Sequence, residues 1–178
     1  MRDNRHQALF IEKGIVSLTT EILKKASLED FEQITISDIY DIHNSILSEY
    51  GGLPGEKEDT RGKIEATIGR MNSGFGEEEF YKDLIEKTAI LMHSLITTHP
   101  YVDGNKRTAL GSGLYFLHLN GFTLEDSEEL ADLIISIAEG VASHKNLIYY
   151  INAHKKEWNE EFYGENYHTL IDTHNLLT

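Results

Sequence analysis

Residues Thr98–Leu110 read THPYVDGNKRTAL. The segment before them is the most apolar in the chain, with Leu84, Ile85, Ala89, Leu91, Met92, Leu95 and Ile96 at helical spacing. That spacing predicts a central helix over Glu78–Thr97. Pro100 disfavours an α conformation at His99, so the helix ends near Thr98. A second helix is predicted from Asn105 or Lys106 to about Asn120, with Gly121 as its stop. The stretch is therefore the loop of a helix–loop–helix, and it places Lys106 and Arg107 at a helix start.

The rest of the chain follows the same period. Phe10, Ile15, Leu18, Ile22 and Leu23 give an amphipathic helix over Gln7–Ala26. A helix capped by Ser37, with Asp38 in its first turn, carries Ile39, Tyr40, His43, Ile46 and Leu47 on one stripe and stops at GGLPG, where Gly51 suits a left-handed position. Further helices are read over Thr60–Met71, after a Ser127 cap, and over Lys145–Lys156. Phe122–Leu124 and Gly52–Lys57 are the places for a small β-hairpin. No segment alternates with a period of two, and the chain has only two prolines. The predicted class is all-α.

Composition bounds the function. Of 178 residues, 16 are Lys or Arg and 30 are Asp or Glu, a net charge of −14. A general nucleic-acid binder needs a broad basic face, so no nucleic-acid partner is expected. The absence of cysteine excludes disulfides and thiolate metal sites and points to a reducing compartment. No run approaches the roughly 20 apolar residues that span a bilayer. A cytoplasmic protein with no membrane partner is expected.

The residue types in the loop suit phosphate chemistry. A helix N-terminus presents unsatisfied N–H groups and partial positive charge. Gly104 lets the backbone approach an anion, Asn105 donates a neutral hydrogen bond, Lys106 is a point charge and Arg107 a planar fork. Asp103 suits Mg²⁺, which takes one or two carboxylates plus substrate phosphates. His99 is the one loop residue that ordinarily titrates near neutrality, the natural general base. The same residues also occur as solvated punctuation at a helix start, so residue chemistry alone leaves both readings open.

HPYVDGNKRTAL resembles the signature of the Fic/Doc superfamily, H-P-F-x-D/E-G-N-G-R-x-x-R. Tyr101 stands for Phe, Lys106 for the second Gly and Leu110 for the final Arg. The last two departures are similar to the Doc (death-on-curing) branch, H-x-F-x-D-A-N-K-R-T-A-L. SEYGGLPG, IEATIGRM and LNGFTLEDSEELADLII resemble Doc segments on either side. The resemblance covers Ile34–His154, which sets a catalytic domain over 34–154 between extensions over 1–33 and 155–178.

The resemblance implies a compact helical bundle and ATP- and Mg²⁺-dependent transfer. By it His99 is the base, Asp103 the metal carboxylate, and Gly104, Asn105, Lys106 and Arg107 the triphosphate cradle. Doc toxins move the γ-phosphate to a threonine of elongation factor Tu and halt translation. Fic enzymes move AMP. Lys106 fills space that Gly leaves for the α-phosphate, and Leu110 removes a clamp for the distal phosphates, so the kinase outcome is favoured. An AMP-transferase or a non-catalytic interaction module is the alternative. A Phd-type antitoxin is the implied partner, and Leu53 and Pro54 of GGLPG fall in the flap that borders the target cleft, where composition alone reads a helix stop.

Two features have a plainer reading. His43 and His93 are read as hydrogen-bonded core histidines. Ser17 and Glu21 echo the S/T-x-x-x-E-G/N inhibitory pattern of many Fic proteins, but Ile22 breaks it and Leu110 stands where the glutamate's arginine partner would be. An amphipathic helix covering the core is the favoured reading there.

Overall fold

The computed structural model describes residues 31–158 other than 77 and 126. The chain divides into two units, Met1–Phe31 and Glu32–Thr178, and the elements below belong to the second. The helix expected over Gln7–Ala26, with Ser17 and Glu21, lies outside the described residues, as does the tail beyond Trp158.

Among the described residues the fold is a helical bundle with two small sheets. The helices are α1 (Ile36–Tyr50), α2 (Thr60–Met71), α3 (Leu84–Thr98), α4 (Asn105–Leu119), α5 (Glu128–Ala138) and α6 (His144–His154). The strands are β1 (Gly74–Phe75), β2 (Glu78–Glu79), β3 (Phe122–Leu124) and β4 (Lys155–Glu157). Helix α3 is the core of the bundle. Ala89, Leu91, Met92 and Ile96 have no exposed surface, and α3 packs against α2, α4 and α6.

Local chemistry moved several predicted boundaries. Helix α1 is capped by Thr35 and not by Ser37. The Thr35 hydroxyl accepts from the Asp38 N–H, and the Asp38 carboxylate accepts the Thr35 N–H at 2.7 Å. That reciprocal box satisfies two N–H groups at once, which a Ser37 cap would not. Helix α3 starts at Leu84 and not at Glu78, because Asp83 caps it by accepting the Glu86 N–H at 2.8 Å. Glu78–Glu79 instead pair antiparallel with Gly74–Phe75. Lys87, almost fully buried, ties this hairpin to the bundle through Glu79 at 2.8 Å and Asn72 Oδ1 at 3.3 Å.

Helix α6 stops at His154, and Lys155–Glu157 pair with Phe122–Leu124. The strand expected at Phe122 is present, but its partner comes from beyond α6. The Gly52–Lys57 segment makes one antiparallel bridge, Glu56 to Tyr101, and no hairpin of its own.

The α3–α4 contact positions the loop between them. A Cβ on Gly113 would lie 2.5 Å from Met92 Cγ and Sδ, so only glycine lets the two helices approach this closely. At the far end of α4, Asn120 exchanges hydrogen bonds with the Glu32 backbone at 2.9 and 3.1 Å, and the Trp158 N–H donates to the Gly121 carbonyl at 2.8 Å. Both ends of the described chain are thus tied to the end of α4 remote from Asn105.

Candidate active site

The loop His99–Gly104 links the end of α3 to the start of α4. His99 ends α3 in the left-handed region, at φ 46° and ψ 64°, seldom adopted by non-glycine residues. Its ring is partly exposed, with Nδ1 3.4 Å from the Thr97 carbonyl. Gly104 is the N-cap of α4 at φ 73°, and no side chain caps the N–H groups behind it. The helix therefore opens with unsatisfied donors at this corner.

Asn105 is buried and closes the loop. Its Oδ1 accepts the Tyr101 N–H at 2.9 Å, and its Nδ2 donates to the Tyr101 carbonyl at 2.9 Å. Residue chemistry alone assigns this amide to phosphate, whereas both of its polar atoms hold the Tyr101 backbone. Lys106 is half-exposed and makes no ion pair among the described residues. Arg107 is only 4% exposed. Its Nη1 donates to the Gly51 carbonyl at 3.3 Å, and its Nη2 lies 3.9 Å from Asp103 Oδ1. Its Nε is buried without a hydrogen-bond partner.

Asp103 accepts the Leu53 N–H at 3.1 Å on Oδ2 and the Gly104 N–H at 2.6 Å on Oδ1. These two backbone donors, the Leu53 one foremost, hold its carboxyl below the ordinary carboxylate range, while partial burial opposes them. The carboxylate is thus ionised at neutral pH, and its side chain is 42% exposed. An ionised oxygen donor, a half-exposed lysine and an orphaned buried guanidinium N–H fit a magnesium–phosphate group. Among the described residues no three His, Asp or Glu side chains cluster to hold a metal unaided. A Mg²⁺ ion at Asp103 would draw its other ligands from phosphate and water.

Below the loop lies His43. Its ring stacks on Tyr101 with centroids 3.5 Å apart and planes 7° apart, and its Nδ1 is 2.9 Å from Thr108 Oγ1. Burial lowers its pKa, Arg107 adds to that, and Asp103 opposes. A hydrogen-bonded core histidine is what its apolar stripe predicts. The stripe could not show that it supports the loop, because Thr108 is 65 residues away. His93 differs from its expectation: it packs edge-on to His144, but its Nδ1 is buried with no hydrogen bond.

The segment after α1 closes over the loop. The Val102 N–H donates to the Gly55 carbonyl at 3.0 Å and the Lys57 N–H to Pro100 at 3.1 Å. The Thr60 hydroxyl also donates to Pro100. Leu53 and Pro54 face outward, Leu53 at 68% exposure.

The Fic/DOC family model matches residues 33–117. "Protein kinase doc" of Escherichia phage P1 is 41% identical over 110 residues, which are 62% of this chain and 85% of that relative. The chain belongs to the Fic/Doc family, in its Doc branch. "Toxin Doc" of Mycolicibacterium smegmatis is 36% identical over 80 residues, 43% of this chain and 62% of that protein. The Fic/Doc match spans GGLPG and the whole His99–Gly104 loop. Within it, Leu110 is fully buried, so the apolar residue at that position serves the core beneath the loop. No helix among the described residues is long and apolar enough to cross a membrane.

Proposed function

We propose that this chain is a Doc-type toxin that transfers the γ-phosphate of ATP to a Thr or Ser hydroxyl of a protein target, elongation factor Tu, and so blocks translation. The observation that carries this reading is the Lys106–Arg107 pair at the uncapped start of α4, beside an ionised Asp103. Kinship with Doc toxins supports the assignment.

In this reading His99 accepts the proton of the target hydroxyl as that oxygen bonds to the γ-phosphorus. The bond from phosphorus to the β–γ bridging oxygen breaks, and ADP carries away the electron pair. A positioned general base contributes roughly 10²- to 10⁴-fold. Lys106 and the α4 N–H groups hold phosphate oxygens, and Arg107 Nε offers them a donor. Mg²⁺ at Asp103 would neutralise phosphate charge. Asn105 acts by holding Tyr101, and Gly104 by leaving the approach open. The outward Leu53 and Pro54 are the flap's contact with the target. A Phd-type antitoxin is the partner that silences the toxin.

The test is incubation with γ-labelled ATP and elongation factor Tu. Label on a Thr or Ser of the factor, lost in His99→Ala, is expected. Equal labelling by both proteins would remove His99 from the reaction.

A further inference from the structure

The flap does more than border a cleft. Its backbone reaches the two charged side chains that the phosphoryl-transfer reading needs most. The Gly51 carbonyl accepts from Arg107 Nη1 at 3.3 Å. The Leu53 N–H donates to Asp103 Oδ2 at 3.1 Å. Between them Gly52 sits at φ 134°, a conformation nearly closed to other residues. A Cβ there would lie 2.8 Å from Leu47 Cδ2, 3.0 Å from Asp103 Oδ2 and 3.4 Å from Arg107 Nη2. The backbone is therefore pressed against both side chains, and only glycine leaves room.

The alternative roles of GGLPG do not account for these contacts. A helix stop needs Gly51 alone, whose added Cβ would meet nothing within 4 Å. A target contact needs only the exposed side chains of Leu53 and Pro54. Neither requires an inward Leu53 N–H bonded to Asp103.

We infer that Gly51, Gly52 and Leu53 are positioning residues of the phosphate site: their backbone fixes the Asp103 carboxylate and the Arg107 guanidinium in one mutual arrangement. Losing a group that orients a ligating carboxylate without touching the ion costs about 10- to 100-fold in affinity. The flap consequently belongs to two sites at once. Its side chains face the target, and its backbone faces the phosphates. The inference rests on the phosphoryl-transfer reading for the ligand concerned, a divalent-cation–nucleoside triphosphate.

The experiment is a titration of Mn²⁺, followed by electron paramagnetic resonance, with a non-hydrolysable ATP analogue present. It uses the full chain, Gly52→Ala, Asp103→Ala and the double variant. Gly52→Ala is expected to weaken Mn²⁺ binding by roughly tenfold or more. In the Asp103→Ala background the same change should add little, because the carboxylate it would misplace is gone. Equal binding by the full chain and Gly52→Ala, or additive losses in the double variant, overturns the inference. No Mn²⁺ binding by the unsubstituted protein overturns the phosphoryl-transfer reading instead.

Should Gly52→Ala fail to fold, amide exchange in Asp103→Ala decides. Exchange at the Leu53 amide should accelerate by roughly tenfold or more over the unsubstituted protein, because its hydrogen bond to a charged group is lost. An unchanged Leu53 rate shows that Asp103 does not engage the flap and overturns the inference.

Discussion

The side-chain amide of Asn105 closes a ring on the backbone of Tyr101, accepting its N–H and donating to its carbonyl, each at 2.9 Å. Both partners are buried, so water cannot replace either bond. Asn105→Ala leaves two buried backbone groups unsatisfied, each costing about 1–3 kcal/mol. Asn105→Asp keeps the acceptor but turns a carboxylate oxygen toward the buried Tyr101 carbonyl, so it should be destabilised at least as much. Urea denaturation checks the order. An unchanged midpoint in Asn105→Ala would mean the loop does not depend on this ring.

Lys106 and Arg107 are neighbours with different duties. Lys106 is half-exposed and makes no ion pair among the described residues, whereas Arg107 is buried and bonded to the flap. Lys106→Ala should leave stability within about 0.5 kcal/mol of the parent. Its phosphate transfer should fall by about 10²-fold or more. Arg107→Ala should lose both activity and stability. Thermal unfolding alongside transfer rates separates the two, and equal destabilisation by both would contradict the assignment.

Much of this site was legible in the sequence. Pro100 and Gly104 bound the loop, and the apolar period on either side gave two helices whose junction is where the cations sit. Local caps were harder, because Thr35 and Ser37 are both good cap residues and only the reciprocal bond with Asp38 decides between them. Asp83 raised the same difficulty for α3. The long-range contacts were not legible at all. Nothing in GGLPG says that its amide meets Asp103 fifty residues on, and nothing in the α1 stripe says that His43 stacks under Tyr101. Such pairings are set by how helices pack, which periodicity within one helix does not encode.

Gly113→Ala tests the packing that holds the loop. Its Cβ would fall 2.5 Å from two atoms of Met92, a side chain with no exposed surface to retreat into. Overpacking of this kind costs about 1–3 kcal/mol. The double change Gly113→Ala with Met92→Ala should recover part of the overpacking cost relative to the sum of the two single losses. Denaturation midpoints of the three variants give the comparison, and strict additivity would argue against the contact.

Acid should weaken the fold through His93. Burial foremost, then His144 and Arg70, holds its pKa below the ordinary 6.5. The unfolded chain therefore takes up a proton below about pH 6.5 that the folded chain refuses. Stability falls as pH drops from there to the folded pKa, by at most about 1.4 kcal/mol per pH unit. His43 adds in the same direction. Denaturation between pH 8 and pH 5, roughly, avoids the range where Asp103 titrates. His93→Leu should show a shallower acid loss than the parent. An equally steep loss would exclude His93 as its source.

The kinase claim is tested most directly by which phosphate of ATP reaches the target. Parallel reactions with elongation factor Tu would use ATP labelled at the α or at the γ position. The Lys106-bearing cradle predicts label on the factor from the γ position alone, abolished in His99→Ala. Label retained from the α position alone would contradict the kinase account and establish AMP transfer in its place.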